Sequence, residues 1–209
     1  MRSNTTVIMF ELNPELTAKV IPVIGSQVIE INNFYVHPDK VRECAISSKK
    51  FTKNDNEDLL AGAVGRRVCE DVLELGYQLK DTFESLCQHP GWGIEFKKED
   101  HDYYWSGMRF MVNVTNNREI IDDGRDMIAH RDPDFLKWAC VVYLNHSDEC
   151  EGGTGFYRYD PKKDAIILEH LSKMEYNKAV LYPSNMVHGA IMEKTMFKNC
   201  DRLVQVMFM

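Results

Sequence analysis

No apolar run in this 209-residue chain approaches the ~20 residues needed to span a bilayer, and the first residues lack an apolar signal core. These absences predict a soluble, intracellular protein with no membrane partner and a cytoplasmic address. Positive charge is also short: 25 Lys and Arg stand against 32 Asp and Glu, a formal net charge of −7. So acidic a chain is poorly equipped to displace counterions from a phosphate backbone, which argues against nucleic acid as a partner. Basic pairs such as Lys49-Lys50 and Lys97-Lys98 read as solvated faces. The six cysteines, Cys44, Cys69, Cys87, Cys140, Cys150 and Cys200, form no C-x-x-C pair, which speaks against a zinc ribbon and for thiols in a reducing compartment. Internal repeats, low-complexity tracts and linkers are missing as well. One domain over residues 1–209 is the expectation.

What is present is ordinary for a globular protein, 44% apolar and 27% charged residues. Residues Gln27 to Ile31 alternate as a strand, Asn32-Asn33-Phe34 turns, and Asp39 is placed to cap a helix carrying Val41, Cys44 and Ala45. Lys49 to Glu57 is polar and reads as a surface loop. From Asp58 to about Gln88 the residues Val68, Val72, Leu75, Leu79, Phe83 and Leu86 recur at helical spacing, predicting a long amphipathic helix that braces a sheet and ends at His89-Pro90-Gly91.

After Gly91 strand-like segments dominate: Met108 to Thr115, Trp138 to Leu144, Phe156 to Tyr159, Ala165 to Leu168, Ala179 to Tyr182 and Leu203 to Met209. Asn116 to Arg125 reads as a polar connection. Short strands between Gly, Pro, Asn and Asp turns favour a barrel or sandwich. The expected class is therefore mostly β with flanking helices (α+β), a strand and supporting helices over 1–100 preceding a β core over 101–209.

The chemistry concentrates at His130-Arg131-Asp132. Side chains two apart on an extended backbone point the same way, so His130 and Asp132 can grip one metal ion, while Arg131 points elsewhere, toward substrate or solvent. A second imidazole is needed, and His188, after a Pro183-Ser184-Asn185 turn, supplies it. Two histidines and a carboxylate occupy one face of an octahedral ion and leave the opposite face open, the arrangement of non-haem iron(II) oxygenases. Zinc hydrolases use the same residue types, so the triad leaves the metal open. Arg202 opens the last apolar segment, where its guanidinium can pair bidentately with the distal carboxylate of 2-oxoglutarate.

The ordered set His130-x-Asp132, a Tyr143-Leu144-Asn145 strand end, Gly152-Gly153, the Pro-preceded His188 and the strand-opening Arg202 resembles the double-stranded β-helix (jelly-roll, cupin-like) family of iron(II)- and 2-oxoglutarate-dependent oxygenases. Within it the prolyl-4-hydroxylase-like branch is the nearest likeness, over about residues 108–209. The resemblance implies iron bound by His130, Asp132 and His188, 2-oxoglutarate as cosubstrate, dioxygen as oxidant, ascorbate as an in vitro reductant, and hydroxylation of a small molecule or a peptidyl residue. That branch generally places a lysine about ten residues after the distal histidine, and Lys198 stands there; Arg202 is preferred and Lys198 kept as the alternative. Tyr143 and Asn113 donate to 2-oxoglutarate if strand alternation turns them inward, and Gly152 and Gly153 serve a turn. The competing reading is a cupin-like metal-binding protein without oxygenase activity, which has no use for Arg202.

Overall fold

The computed structural model describes residues 9–47, 50–51, 66–70, 81–82, 85–86, 110–115, 129–133, 136–198 and 200–208. Strands β1 (Thr17–Val23) and β2 (Ser26–Asn32) form an antiparallel hairpin. Its two-residue turn holds Ile24 and Gly25 at φ of 54° and 72°, the doubly positive pattern that matches the twist of paired strands. β1 has no counterpart in the sequence reading, because six of its seven residues lie outside the core and give no alternation to see.

Helix α1 (Pro38–Ser47) begins two residues earlier than expected. Pro38 occupies the first turn, where its missing N–H costs nothing, and the carbonyl of His37 accepts from Lys40 and Val41. Asp39, expected as the cap, lies inside that turn and accepts a hydrogen bond from the Tyr176 hydroxyl.

Lys50–Phe51 forms β3 and Arg66–Glu70 forms β4, paired with each other. Both correct the sequence reading, which had a loop at the first and a helix from Asp58 through the second. Val68 faces Val112 across a ladder instead of starting a helical stripe. A short segment carrying one β-branched residue is ambiguous by periodicity alone, and a neighbouring strand with unpaired N–H and C=O groups decides it. Val72, Leu75, Leu79 and Phe83 lie outside the described residues, as does the connection over residues 116–125; Asp81, Thr82, Ser85 and Leu86 are helical and Leu86 is buried.

The remaining strands are β5 (Phe110–Thr115), β6 (Trp138–Tyr143), β7 (Gly153–Asp160), β8 (Ala165–Lys173), β9 (Ala179–Pro183), β10 (His188–Ile191) and β11 (Arg202–Phe208). They overlap the apolar segments expected from the sequence, with β7 starting three residues before Phe156 and β8 running five beyond Leu168; β10 has no counterpart among them. Strand order in the large sheet is β1-β2-β9-β6-β11-β5-β4-β3, and β10-β7-β8 make a small one; every described pairing is antiparallel. The protein is mostly β.

Alternation divides each central strand between two cores. Cys140, Val142, Leu181, Leu203 and Met207 pack with Val41, Ala45 and Leu86 on the helical side. Ala139, Val141, Tyr143, Val180, Tyr182, Val204 and Val206 turn the other way, toward Phe156, Met174 and Met186 of the small-sheet side. Burial on both faces explains why β6, β9 and β11 read as continuous apolar runs. No described helix is long and apolar enough to cross a membrane.

Candidate metal centre

His130 and His188 oppose each other in a single antiparallel bridge, exchanging two backbone hydrogen bonds of 2.8 Å. Directly opposed residues send their side chains to the same face, and the two imidazole centroids lie 4.6 Å apart. Asp132, two residues on, is held by its N–H to the Ser184 carbonyl at 3.0 Å, so the extended backbone returns its carboxylate to that face. His130 Nε2 is 3.8 Å from Asp132 Oδ1, and His188 Nε2 is 3.5 Å from Asp132 Oδ2. One ligand atom from each residue falls within 4.8 Å of the other two. Neighbouring donors at ~2.1 Å from an octahedral ion sit about 3 Å apart, so small side-chain shifts close the set on a metal.

Burial is uneven. Asp132 and His188 are 9% and 5% exposed, while the His130 side chain is 47% exposed, so the cluster opens to solvent on the His130 side. Arg131 is exposed. His188 Nδ1 lies 2.9 Å from the Met186 carbonyl; donation there fixes the tautomer and leaves the Nε2 lone pair facing Asp132, the usual way an outer partner prepares a ligating imidazole. Burial, together with the His130 charge, pulls the His188 pKa down to about 4, which keeps the ring neutral and ready to ligate. Asp134, the neighbouring carboxylate, lies outside the described residues.

Arg202 opens β11 in the middle of the large sheet and is 4% exposed. Its Nη2 lies 3.4 Å from the Gly153 carbonyl, and its Nε finds no hydrogen-bond partner among the described residues. Burial lowers its pKa and the field of Tyr143 and Cys150 opposes this; a guanidinium remains charged regardless. Tyr143 is fully buried with its pKa raised to about 12, by burial first, with Thr154 and Arg202 acting in the opposite direction. Its hydroxyl is already committed, lying 2.8 Å from Thr154 Oγ1 and 3.2 Å from the Ser172 carbonyl.

The other two candidates lie elsewhere. Asn113 on β5 stands opposite Val204; the structure describes its backbone only. Lys198 is exposed, pairs with Glu151 and donates to the Ser147 carbonyl at 3.0 Å.

The approach to Arg202 is shaped by glycines and one asparagine. Gly152 has φ of 113°, and a Cβ there would stand 2.3 Å from the Ile191 carbonyl, so it is confined to glycine by conformation and space alike. Gly153, expected in the turn, instead begins β7 between Ile191 and Lys173, leaving its carbonyl free to meet Arg202. Asn145 (1% exposed) receives the Leu203 N–H at 2.6 Å and donates to the Asp201 carbonyl at 2.9 Å, gripping the backbone on both sides of Arg202. Arg42 of α1 supports the same loop through Leu144 O and Glu149 Oε1, both at 2.6 Å. Asn145→Ala leaves a buried N–H and C=O unpaired and is expected to cost about 2 kcal/mol, lowering Tm by roughly 4–8 °C in a thermal melt.

Two residues around the site escape sequence reasoning. Thr154 follows the glycine pair and is hidden there by its turn-like surroundings. Tyr182 is 2% exposed, its ring 4.7 Å from His188 and 5.1 Å from Phe156; its position two before Ser184, in alternation with Val180, is the available signal. Burial, then the Asp132 carboxylate and Tyr143, hold its phenol well above the ordinary pKa.

No family model and no curated relative matches the chain. Among solved structures, the chain has a loose likeness to the non-haem α-ketoglutarate-dependent epimerase SnoN from nogalamycin biosynthesis, at 16% identity and a TM-score of 0.39 over 82% of this chain and 70% of that one. A likeness this loose bears on neither reaction nor substrate. A His-Asp-His group able to hold a metal is the plain finding.

Proposed function

We propose that the protein is an iron(II)- and 2-oxoglutarate-dependent dioxygenase that hydroxylates an unactivated C–H bond of a small molecule or a peptidyl residue. The observation that carries this reading is Arg202, a buried guanidinium with an unpartnered Nε and no carboxylate at ion-pair distance among the described residues. A buried charge left so is costly, and an anionic ligand offsets that cost. Its place along the strands supports 2-oxoglutarate. Arg202 meets β7 at Gly153 and His188 stands opposite Phe156 on the same strand, three residues away, or about 10 Å of strand. That spacing of strand positions leaves room for a chelated five-carbon diacid between them.

His130, Asp132 and His188 would hold the iron, and their placement on one side leaves the opposite coordination face open. Iron(II) held there would let dioxygen, the oxidant, react with 2-oxoglutarate, which is oxidised and decarboxylated to succinate and carbon dioxide and takes up one oxygen atom while the other enters the C–H bond. The chain's part is position and charge. Arg202 would neutralise the far carboxylate, where low dielectric strengthens the pairing. The walls of Val141, Val204, Met186 and Phe156, all buried, would keep water from the reacting face. The two-sheet arrangement, with the triad bridging β10 to residues 130–132, suits a double-stranded β-helix of the prolyl-4-hydroxylase-like branch. The described cysteines, Cys44, Cys140, Cys150 and Cys200, are thiols outside any disulfide, in keeping with a cytoplasmic protein.

The test is succinate release. Purified protein given iron(II), ascorbate and 2-oxoglutarate is expected to turn over slowly without substrate and faster with it. Tight metal binding with no 2-oxoglutarate binding would instead establish the cupin-like metal-binding alternative.

A further inference from the structure

Tyr182 stands at the triad end of the site. Its ring packs on the His188 imidazole at 4.7 Å, in the same buried cluster as Tyr143. Tyr182 stands opposite Ala139 on β6, whose small side chain adds little bulk beside the ring.

Its hydroxyl differs from that of Tyr143. The Tyr143 oxygen is taken up by Thr154 and Ser172, whereas the Tyr182 hydroxyl makes no hydrogen bond among the described residues. Nor is it sealed away from solvent without a partner among the described residues, as Arg202 Nε and Gln205 Nε2 are, although its residue is 2% exposed. A phenol in such a place keeps a donor that a ligand can use. In Phe156 and Tyr182 the rings meet edge to face, at 5.1 Å and 73°, which packs the Tyr182 ring from a second side.

We infer that Tyr182 is a cosubstrate-binding residue whose hydroxyl donates a hydrogen bond to the metal-proximal carboxylate of the 2-oxo acid lying between the triad and Arg202. The inference rests on the oxygenase reading above. It divides the ligand between two anchors: Tyr182 holds the 2-oxo-acid end beside the metal, and Arg202 holds the distal carboxylate. The division has a consequence for ligand choice, since a short 2-oxo acid such as pyruvate carries the first end and lacks the second.

The experiment compares wild type, Tyr182→Phe and Arg202→Ala, each loaded with iron(II) without oxygen and titrated with 2-oxoglutarate and then with pyruvate, read by the visible charge-transfer absorption of the metal–2-oxo-acid complex. Tyr182→Phe is expected to weaken both ligands by about tenfold or more, the effect of removing one hydrogen bond to a charged group. Arg202→Ala is expected to weaken 2-oxoglutarate and leave pyruvate unchanged. Metal affinity and Tm should be the same in Tyr182→Phe as in wild type, because the hydroxyl removed has no partner among the described residues. Unchanged affinity for both ligands in Tyr182→Phe overturns the assignment while leaving the oxygenase reading standing. Absence of any 2-oxo-acid complex in wild type overturns both. A fall in Tm with affinity preserved assigns Tyr182 to the core and also overturns the inference.

Discussion

His188→Ala is expected to strip the protein of stoichiometric metal and reduce succinate release to the level of protein-free controls. The expectation rests on the way the imidazole is held. His188 is buried, donates through Nδ1 to the Met186 carbonyl, and has its pKa drawn down to about 4 by burial, so its Nε2 is neutral, oriented and free of competition from protons at neutral pH. Alanine removes an imidazole placed to bind a metal without reorganisation, and the effect should exceed the ~10–100-fold that loss of an outer-shell partner costs a metal site. Asp132→Ala should behave alike, since it contributes the only carboxylate of the described cluster. Metal content by elemental analysis and succinate by chromatography are the readouts, with a thermal melt to establish that the variants fold. Full metal retention in a folded His188→Ala protein removes that residue from the site.

Arg202→Ala should do the converse, leaving the metal in place and weakening 2-oxoglutarate by about a hundredfold or more. Truncating one partner of a desolvated charge pair costs roughly 2–5 kcal/mol, and each 1.4 kcal/mol is tenfold. The size reflects burial: at 4% exposure no water replaces the guanidinium opposite the ligand's distal carboxylate. Lys198→Ala is the internal control. Lys198 is exposed and engaged with Glu151 and the Ser147 carbonyl, so its removal should change 2-oxoglutarate affinity by less than about twofold, in line with a surface pair. If Lys198→Ala weakens the cosubstrate and Arg202→Ala does not, the two roles are exchanged. Titration calorimetry on the metal-loaded protein under nitrogen separates these outcomes.

Much of the β core is legible because each central strand is buried on both faces. Trp138 to Tyr143, Ala179 to Pro183 and Arg202 to Phe208 are short apolar runs bounded by turn residues, and that pattern survives without knowledge of partners. The amino-terminal half is less legible. Arg66–Glu70 is a strand because β5 stands beside it, and β1 is a strand because β2 does. Neither carries an alternation of its own strong enough to overrule the helical spacing that begins at Val68 or the exposed character of Thr17–Val23.

The sequence by itself determined that His130 and Asp132 share a side, since two residues on an extended chain must. It also determined that Arg202 would open a buried strand, because a guanidinium preceding Leu-Val-Gln-Val-Met-Phe is carried inward by those apolar neighbours. The tertiary structure alone decided that His188 meets them, through two backbone hydrogen bonds between segments far apart in the chain. It alone decided that the Tyr143 hydroxyl is spoken for, that the Tyr182 hydroxyl makes no hydrogen bond among the described residues, and that Lys198 belongs to the surface. The reason is physical: a side chain's direction along a strand is local and periodic, whereas its partners come from other strands, whose register no single segment encodes.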